Sequence, residues 1–131
     1  MIFAAILLTL PTPPPDPSGL WRTPRGAVVQ VERCGAALCG RIVTVPAIPG
    51  NPQALDWKNK DVAARKRPLK GVAVLSGFTG GPAKWSGGRI YNPEDGGSYS
   101  GSVDFSDGAV LKVKGCIAAF LCRTQNWVRA R

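Results

Sequence analysis

The chain has 131 residues, with 17 Lys and Arg against 8 Asp and Glu, a formal net charge of +9 and no histidine. The length suits one domain, and the lack of histidine excludes a Ser-His-Asp triad, a Cys-His pair and histidine-ligated zinc or haem. Because 44% of the residues are hydrophobic and 19% are charged, a packed core is expected, and neither disorder nor a coiled coil is.

Residues 1–18 are interpreted as a leader followed by a spacer. The run MIFAAILLTL at 1–10 is too short to cross a bilayer as a helix and has the length of a secretory signal core, although no basic residue precedes it. The alternative is a buried first strand. The next nine residues hold five prolines, which oppose helix and sheet and favour an extended spacer. A single folded domain is therefore predicted at 19–131.

Short stretches of period-two hydrophobicity predict eight strands in the rest of the chain. A basic, proline-rich connection at 46–70 is expected to hold one short helix, and Asp107-Gly108 predicts a tight hairpin turn. The fold class is therefore all-β, a small antiparallel up-and-down barrel, with a Greek-key sandwich as the alternative. The strands are expected at 19–24, 27–34, 38–45, 71–78, 84–91, 98–105, 109–114 and 121–129.

Two pairs of cysteines frame short turns, Cys34 with Cys39 and Cys116 with Cys122. Neither pair is a C-x-x-C, the spacing typical of thioredoxin-like redox sites and zinc ribbons. Cysteines on either side of a tight turn face each other across a hairpin, so we favour two local disulfides. Four thiolates around one zinc ion are the alternative. Disulfides indicate an oxidising compartment, and we expect an exported protein.

Four segments occur in order along the predicted domain: CGAALCGRIV at 34–43, RPLKG at 67–71, GGRIYNPEDG at 87–96 and KGCIAAFLCRTQNW at 114–127. Together they resemble the exported bacterial family known as domain of unknown function 2147. The resemblance implies a periplasmic or extracellular bacterial protein and carries no assigned activity. At 24–26 this chain has Pro-Arg-Gly in place of an expected Asp-Gly, so its first turn is expected to differ.

A looser resemblance concerns the start and the end of the domain. Gly19-Leu20-Trp21, with Arg129 near the end of the chain, is similar to the signature of lipocalin-type barrels. The resemblance implies that the Trp21 indole closes one end of the barrel and that Arg129 packs across it, with Trp127 part of the same closure. A guanidinium over an indole face is a favourable contact. Plain core packing is the alternative for all three side chains.

The inward faces of the predicted barrel supply a candidate ligand site, since small-molecule sites are mostly apolar cavities with a few polar groups. Strict alternation places Arg89 on the same face as Trp85 and Tyr91, where it would hold a ligand carboxylate. Whether the lumen is hollow or filled by side chains stays open. The candidate lumen residues are Phe78, Trp85, Arg89, Tyr91, Tyr99 and Phe105.

The long connection supplies a second candidate site, a basic patch with Trp57 at its edge. Such a patch attracts anionic envelope polymers or nucleic acid. The alternatives are a solvated loop that keeps the domain soluble and, for Trp57, a plug over the barrel mouth. The patch consists of Lys58, Lys60, Arg65, Lys66, Arg67 and Lys70.

No catalytic residue, metal or cofactor is assigned, because nothing in the sequence pairs Glu32 or Asp104, the acids on strands, with a second acid. We predict an exported, non-enzymatic protein that holds a small apolar or amphipathic ligand in its barrel, with no transmembrane segment. The alternative is a cationic module that docks on an anionic polymer through residues 58–70. An enzyme is the third hypothesis, and it would require two acids close together in a cleft.

Overall fold

Eight antiparallel strands form a closed barrel in a computed structural model that describes residues 4–6, 8, 16–46 and 50–130. Each strand pairs with its neighbours in sequence, and β1 closes the barrel against β8. The strands are β1 Gly19–Arg22, β2 Val28–Cys34, β3 Ala37–Thr44, β4 Ala73–Gly80, β5 Lys84–Asn92, β6 Gly97–Asp104, β7 Val110–Ala118 and β8 Leu121–Arg129. The predicted barrel is confirmed. Much of the predicted leader and spacer (1–3, 7 and 9–15) lies outside the described residues.

The connection between β3 and β4 contains a short 3-10 helix, Val62–Lys66, in the region where a short helix was expected. Asp61 caps the helix, because its Oδ1 accepts a 3.1 Å hydrogen bond from the backbone amide of Ala63. The predicted and observed strand bounds differ most at β7, which extends four residues past its predicted end. Its hairpin with β8 continues until Ala118 pairs with Leu121, leaving only two residues in the turn.

The strand directions divide the loops between the two ends of the barrel. The turns β2–β3, β4–β5 and β6–β7 lie at one end, together with the start of β1 and the end of β8. We call this the closed end. The segments 23–27, 45–46, 50–72, 93–96 and 119–120 belong to the other end, which we call the open end.

The two cysteine pairs form the two predicted disulfides, one at each end of the barrel. Cys34–Cys39 joins β2 to β3 at the closed end, with the Cα atoms 5.9 Å apart. Cys116–Cys122 joins β7 to β8 at the open end, with the Cα atoms 4.0 Å apart. Each disulfide ties a hairpin that the backbone ladder already brings together.

Within the described part of the chain, no helix has the length and apolarity that crossing a bilayer requires.

Candidate functional site

The open half of the barrel encloses a cavity of about 920 Å³ that reaches the open end. Its inner wall is built from aliphatic side chains on β2 to β5 and β7, with the indole of Trp127 on β8. Alternation along the strands directs most of these side chains inward. Val74 is buried next to Leu75, at a shift in the pairing of β3 with β4, and Ile90 follows a shift in the pairing of β5 with β6. The apolar wall consists of Val29, Ile42, Val74, Ile90, Val113 and Trp127.

The closed half of the barrel is filled by side chains. Phe78 is fully buried, and its ring packs so closely on Gly88 that a Cβ on that residue would have no room. Trp85 and Phe105 are also buried, and neither lines the cavity. Three of the six candidate lumen residues therefore belong to the packed half. The lumen is hollow at one end and filled at the other.

Arg89 was predicted to face the lumen and instead lies on the outer surface of β5. The pairing of β5 with β6 shifts between Ser86 and Gly88, where Gly87 has a φ of +71°. This bulge inserts one residue, so the side chain of Ile90 turns inward and that of Arg89 outward. The Arg89 guanidinium donates a 3.1 Å hydrogen bond to the Ser100 hydroxyl on the outer face.

Tyr91 and Tyr99, the remaining candidate lumen residues, line the cavity near its mouth. The Tyr99 hydroxyl donates a hydrogen bond to Asp95, and this bond, with burial and the charge of Asp95, raises the pKa of Tyr99. Burial acts to raise the pKa of Asp95, but hydrogen bonds from Tyr99 and from the Gly97 amide lower it overall. The polar rim on this side is thus fixed by local hydrogen bonds.

Arg123 and Gln125 also line the cavity, although neither was predicted to belong to the site. The Oε1 atom of Gln125 accepts a 3.0 Å hydrogen bond from the Trp127 indole. The positive charge of Arg123 acts on Tyr99, where it favours the ionised phenol. The alternation of β8 already placed Arg123, Gln125 and Trp127 on one face, so a buried tryptophan was the available signal that this face is internal.

The long connection is attached to the barrel through a buried carboxylate. Asp56 is 1% exposed and accepts a 2.6 Å hydrogen bond from the Tyr91 hydroxyl and a 2.9 Å bond from the Asn59 side-chain amide. The Arg67 guanidinium lies 3.5 Å from the same carboxylate. Trp57, the next residue, is 68% exposed and lines the cavity mouth. The indole therefore stands at the rim of the mouth.

All six basic residues of the predicted patch are exposed. Arg67 pairs with Asp56, and the Nε atom of Arg65 donates a 2.7 Å hydrogen bond to the Asn59 carbonyl, so both arginines stabilise the loop. The ammonium of Lys58 lies 5.0 Å from the centre of the Trp57 ring. Among residues 4–6, 8, 16–46 and 50–130, no carboxylate forms a salt bridge with any lysine of the patch: Lys58, Lys60, Lys66 or Lys70.

At the closed end, the Arg129 guanidinium lies 4.2 Å from the centre of the Trp21 ring. The guanidinium also donates hydrogen bonds of 2.6 Å and 2.8 Å to the carbonyls of Ser18 and Asp16. Phe105 packs edge-on against Trp21 at 5.4 Å. Trp127 was grouped with this closure in the sequence analysis, but its indole lines the cavity. The Trp21–Arg129 contact is the geometry that the lipocalin resemblance implied.

A family model described as an uncharacterized protein conserved in bacteria (DUF2147) matches residues 19–129. The chain belongs to the DUF2147 family. No curated protein sequence matches this DUF2147 chain.

The fold of this DUF2147 chain is also found in a solved structure, that of protein HP1028 from the human pathogen Helicobacter pylori. HP1028 is described as belonging to the lipocalin family. The two structures align with a TM-score of 0.76 and 21% sequence identity, over 87% of this chain and 82% of HP1028. At this level of identity the likeness establishes a shared lipocalin-like barrel.

Proposed function

We propose that this DUF2147 protein is an exported carrier or sensor that binds one small amphipathic molecule in the open half of its barrel. The observation that supports the proposal is the 920 Å³ cavity with an apolar wall and a mouth at the open end. Ligand sites are typically cavities of about 300–1,000 Å³ with mostly apolar linings. A barrel built only for stability would be filled throughout, as its closed half is.

The distribution of polar groups suggests how the ligand is oriented. The deep wall is aliphatic and aromatic, whereas Tyr99, Arg123 and Gln125 supply polar atoms to the lining. An apolar chain entering the cavity leaves water, which contributes about 25 cal/mol per Å² of buried apolar surface. The Arg123 guanidinium suits a carboxylate or phosphate head group near the mouth. We infer an anionic or polar amphiphile that enters with its chain first.

Two further observations support this reading. HP1028 shares the fold and is described as a lipocalin-family protein, so the proposal draws on fold-level analogy. The two disulfides suit an oxidising compartment, which supports export from a bacterial cell. The exposed lysines of the long connection also favour an anionic partner, the alternative function of the loop 58–70.

Native mass spectrometry of the protein purified from a bacterial host tests the proposal. We expect a discrete added mass that persists at high salt and disappears when the protein is denatured. In Gly115→Phe, the new ring projects into the cavity, because a Cβ at Gly115 meets only ordinary contacts at 3.4 Å and 3.6 Å. The added mass should then be lost. Asn126→Phe adds the same ring to the exposed face of β8 and should retain it.

A wild-type protein that carries no added mass, from its host or after incubation with dodecanoate, would refute the carrier function. An added mass that is equally abundant in Gly115→Phe would place the ligand outside the cavity and also refute it. Circular dichroism of both variants establishes that the barrel is folded.

A further inference from the structure

Within the barrel domain, most of the large apolar side chains that remain exposed lie at the open end. Large exposed apolar groups of this kind mark interaction sites when they cluster. They come from two separate elements, the long connection and the β7–β8 hairpin, and several of them line the same cavity mouth. The exposed apolar side chains of the open end are Leu55, Trp57, Val62, Ile117, Phe120 and Leu121.

The tip of the β7–β8 hairpin is the most exposed part of this surface. Residues 117–121 read Ile-Ala-Ala-Phe-Leu, without a polar side chain, and Phe120 is 86% exposed. The Cys116–Cys122 disulfide closes the hairpin directly below the tip. The tip therefore extends only a few residues beyond a covalently closed hairpin.

Positive charge surrounds these apolar groups. The segments 23–27, 45–72, 92–97 and 116–123 contain eight basic and four acidic residues. Three of the acids contact nearby side chains. Glu94 forms a salt bridge with Arg25 at 3.0 Å, Asp56 forms one with Arg67, and Asp95 accepts a hydrogen bond from the Tyr99 hydroxyl. The fourth, Asp61, caps the 3-10 helix. The four acids do not balance the eight basic residues, so these segments carry a net charge of +4 around an apolar tip.

We propose that the open end docks on the surface of an anionic lipid bilayer. Phe120, its neighbours on the tip and Trp57 enter the interfacial region, and the patch lysines lie among the anionic head groups. Tryptophan is favoured at this depth because one edge of the ring is polar. The mouth of the cavity then faces the lipid. The inference goes beyond the proposed ligand binding and does not depend on it.

The combination of groups favours a bilayer over other partners. An anionic polymer would be recognised by the lysines and would leave the aliphatic side chains of Ile117 and Leu121 exposed to water. An apolar protein partner would not require the lysines. A second copy of the chain would bring two positive surfaces together, which like-charge repulsion opposes. Of these four partners, an anionic bilayer is the one that presents both negative charge and an apolar interior.

Sedimentation with vesicles tests the proposal on the full chain. We expect binding to phosphatidylcholine vesicles that contain phosphatidylglycerol and much weaker binding to phosphatidylcholine alone. Trp57 is a built-in reporter, since Trp21, Trp85 and Trp127 are all buried. Its emission should shift to shorter wavelength on binding and should be quenched by brominated lipid. Trp57→Phe should remove the shift while most of the sedimented protein remains.

Substitutions at exposed positions separate the two components of binding. Phe120→Ser should weaken vesicle binding about ten-fold or more, because a buried phenyl ring is lost from the interface. Val128→Ser, on the outer face near the closed end, is the matched control and should have no effect. Lys60→Gln should weaken binding about five-fold, whereas Lys112→Gln on β7 near the closed end should not.

Three results would overturn the proposal. The first is equal binding of Phe120→Ser and wild type to anionic vesicles. The second is binding to DNA or polyphosphate without binding to vesicles, which would assign the loop to a polymer. The third is concentration-dependent dimerisation that Phe120→Ser abolishes, together with no vesicle binding. The absence of a bound ligand in native mass spectrometry would count against the carrier function, but it would not change the outcome of the vesicle-binding test.

Discussion

The hydroxyl of Tyr91 donates a 2.6 Å hydrogen bond to the carboxylate of Asp56, 35 residues earlier in the chain. This contact joins the end of β5 to the long connection between β3 and β4. The same carboxylate also accepts a hydrogen bond from the side-chain amide of Asn59 and lies beside the guanidinium of Arg67. One buried acid therefore organises the start of the loop. Because Trp57 follows directly, the position of the cavity rim depends on this contact.

The Tyr91–Asp56 hydrogen bond should contribute more to stability than the similar Tyr99–Asp95 bond. Tyr91→Phe leaves a buried carboxylate with one donor fewer, and we expect the free energy of unfolding to fall by about 2 kcal/mol. Tyr99→Phe acts on an exposed pair and should cost less than about 1 kcal/mol. Urea unfolding of both variants measures the difference. Equal losses would show that the Asp56 contact does not stabilise the loop.

Alkaline pH should weaken the protein through Tyr91. Burial raises the pKa of Tyr91 above its ordinary value of 10.0, and the hydrogen bond that Tyr91 donates to Asp56 and the negative charge of Asp56 raise it further. A group whose pKa is higher in the folded state stabilises the fold fully below its unfolded pKa and loses that contribution as the pH rises. The stability difference between wild type and Tyr91→Phe should therefore be constant below pH 10 and shrink above it.

Comparing wild type with Tyr91→Phe also controls for the titration of the other tyrosine. Tyr99 also has a raised pKa, but it is present in both proteins, so its titration cancels. Urea unfolding at a series of pH values supplies the two curves. A difference that stays constant through pH 10 and above would contradict the assignment to Tyr91.

The contact of Arg129 with Trp21 should make the closed end sensitive to one substitution. Arg129→Ala removes a cation–π contact and two hydrogen bonds to backbone carbonyls, and we expect a loss of about 2 kcal/mol. Arg89→Ala removes one hydrogen bond on the outer face and should cost less than about 1 kcal/mol. If thermal unfolding shows no difference between the two variants, Arg129 does not seal the barrel.

The two disulfides should contribute similarly to stability and differently to binding. Each closes a loop of similar length, and replacing either pair with serine should cost about 2 kcal/mol. Cys116→Ser with Cys122→Ser should also weaken binding to anionic vesicles, because the apolar tip loses its support. Cys34→Ser with Cys39→Ser lies at the other end and should leave vesicle binding unchanged. If the Cys34/Cys39 variant lost vesicle binding and the Cys116/Cys122 variant kept it, the open end would not be the end that docks on the bilayer.

The strands were predictable because alternation of apolar and polar residues is a local property, and the hairpin signals fix antiparallel neighbours. Arg89 was placed on the wrong face because one glycine bulge reverses the alternation that follows it. A Gly-Gly pair such as Gly87-Gly88 within a strand is typical of a bulge or a close backbone approach, but it does not indicate which way the later side chains turn.

The extent of the cavity was not predictable, since it depends on which inward side chains meet across the barrel. Phe78 fills the closed half because it reaches Gly88 on the neighbouring strand. Among the residues that the structure describes, no comparable side chain fills the open half, where Gly115 leaves space beside Ile90 and Tyr99. The burial of Asp56 depends in the same way on where a long loop folds back. These are tertiary contacts without a local sequence signal.

Methyl NMR during a titration with dodecanoate tests most directly whether the open half of the barrel holds a ligand. We expect saturable shifts of the methyl groups of the cavity wall, while those of Leu38, Leu75 and Leu111 in the packed core, which do not line the cavity, change little. Shifts confined to the exposed methyl groups of Leu55, Ile117 and Leu121, or no shifts at all, would contradict this expectation. The wall methyl groups expected to shift are those of Val29, Ile42, Val74, Ile90 and Val113.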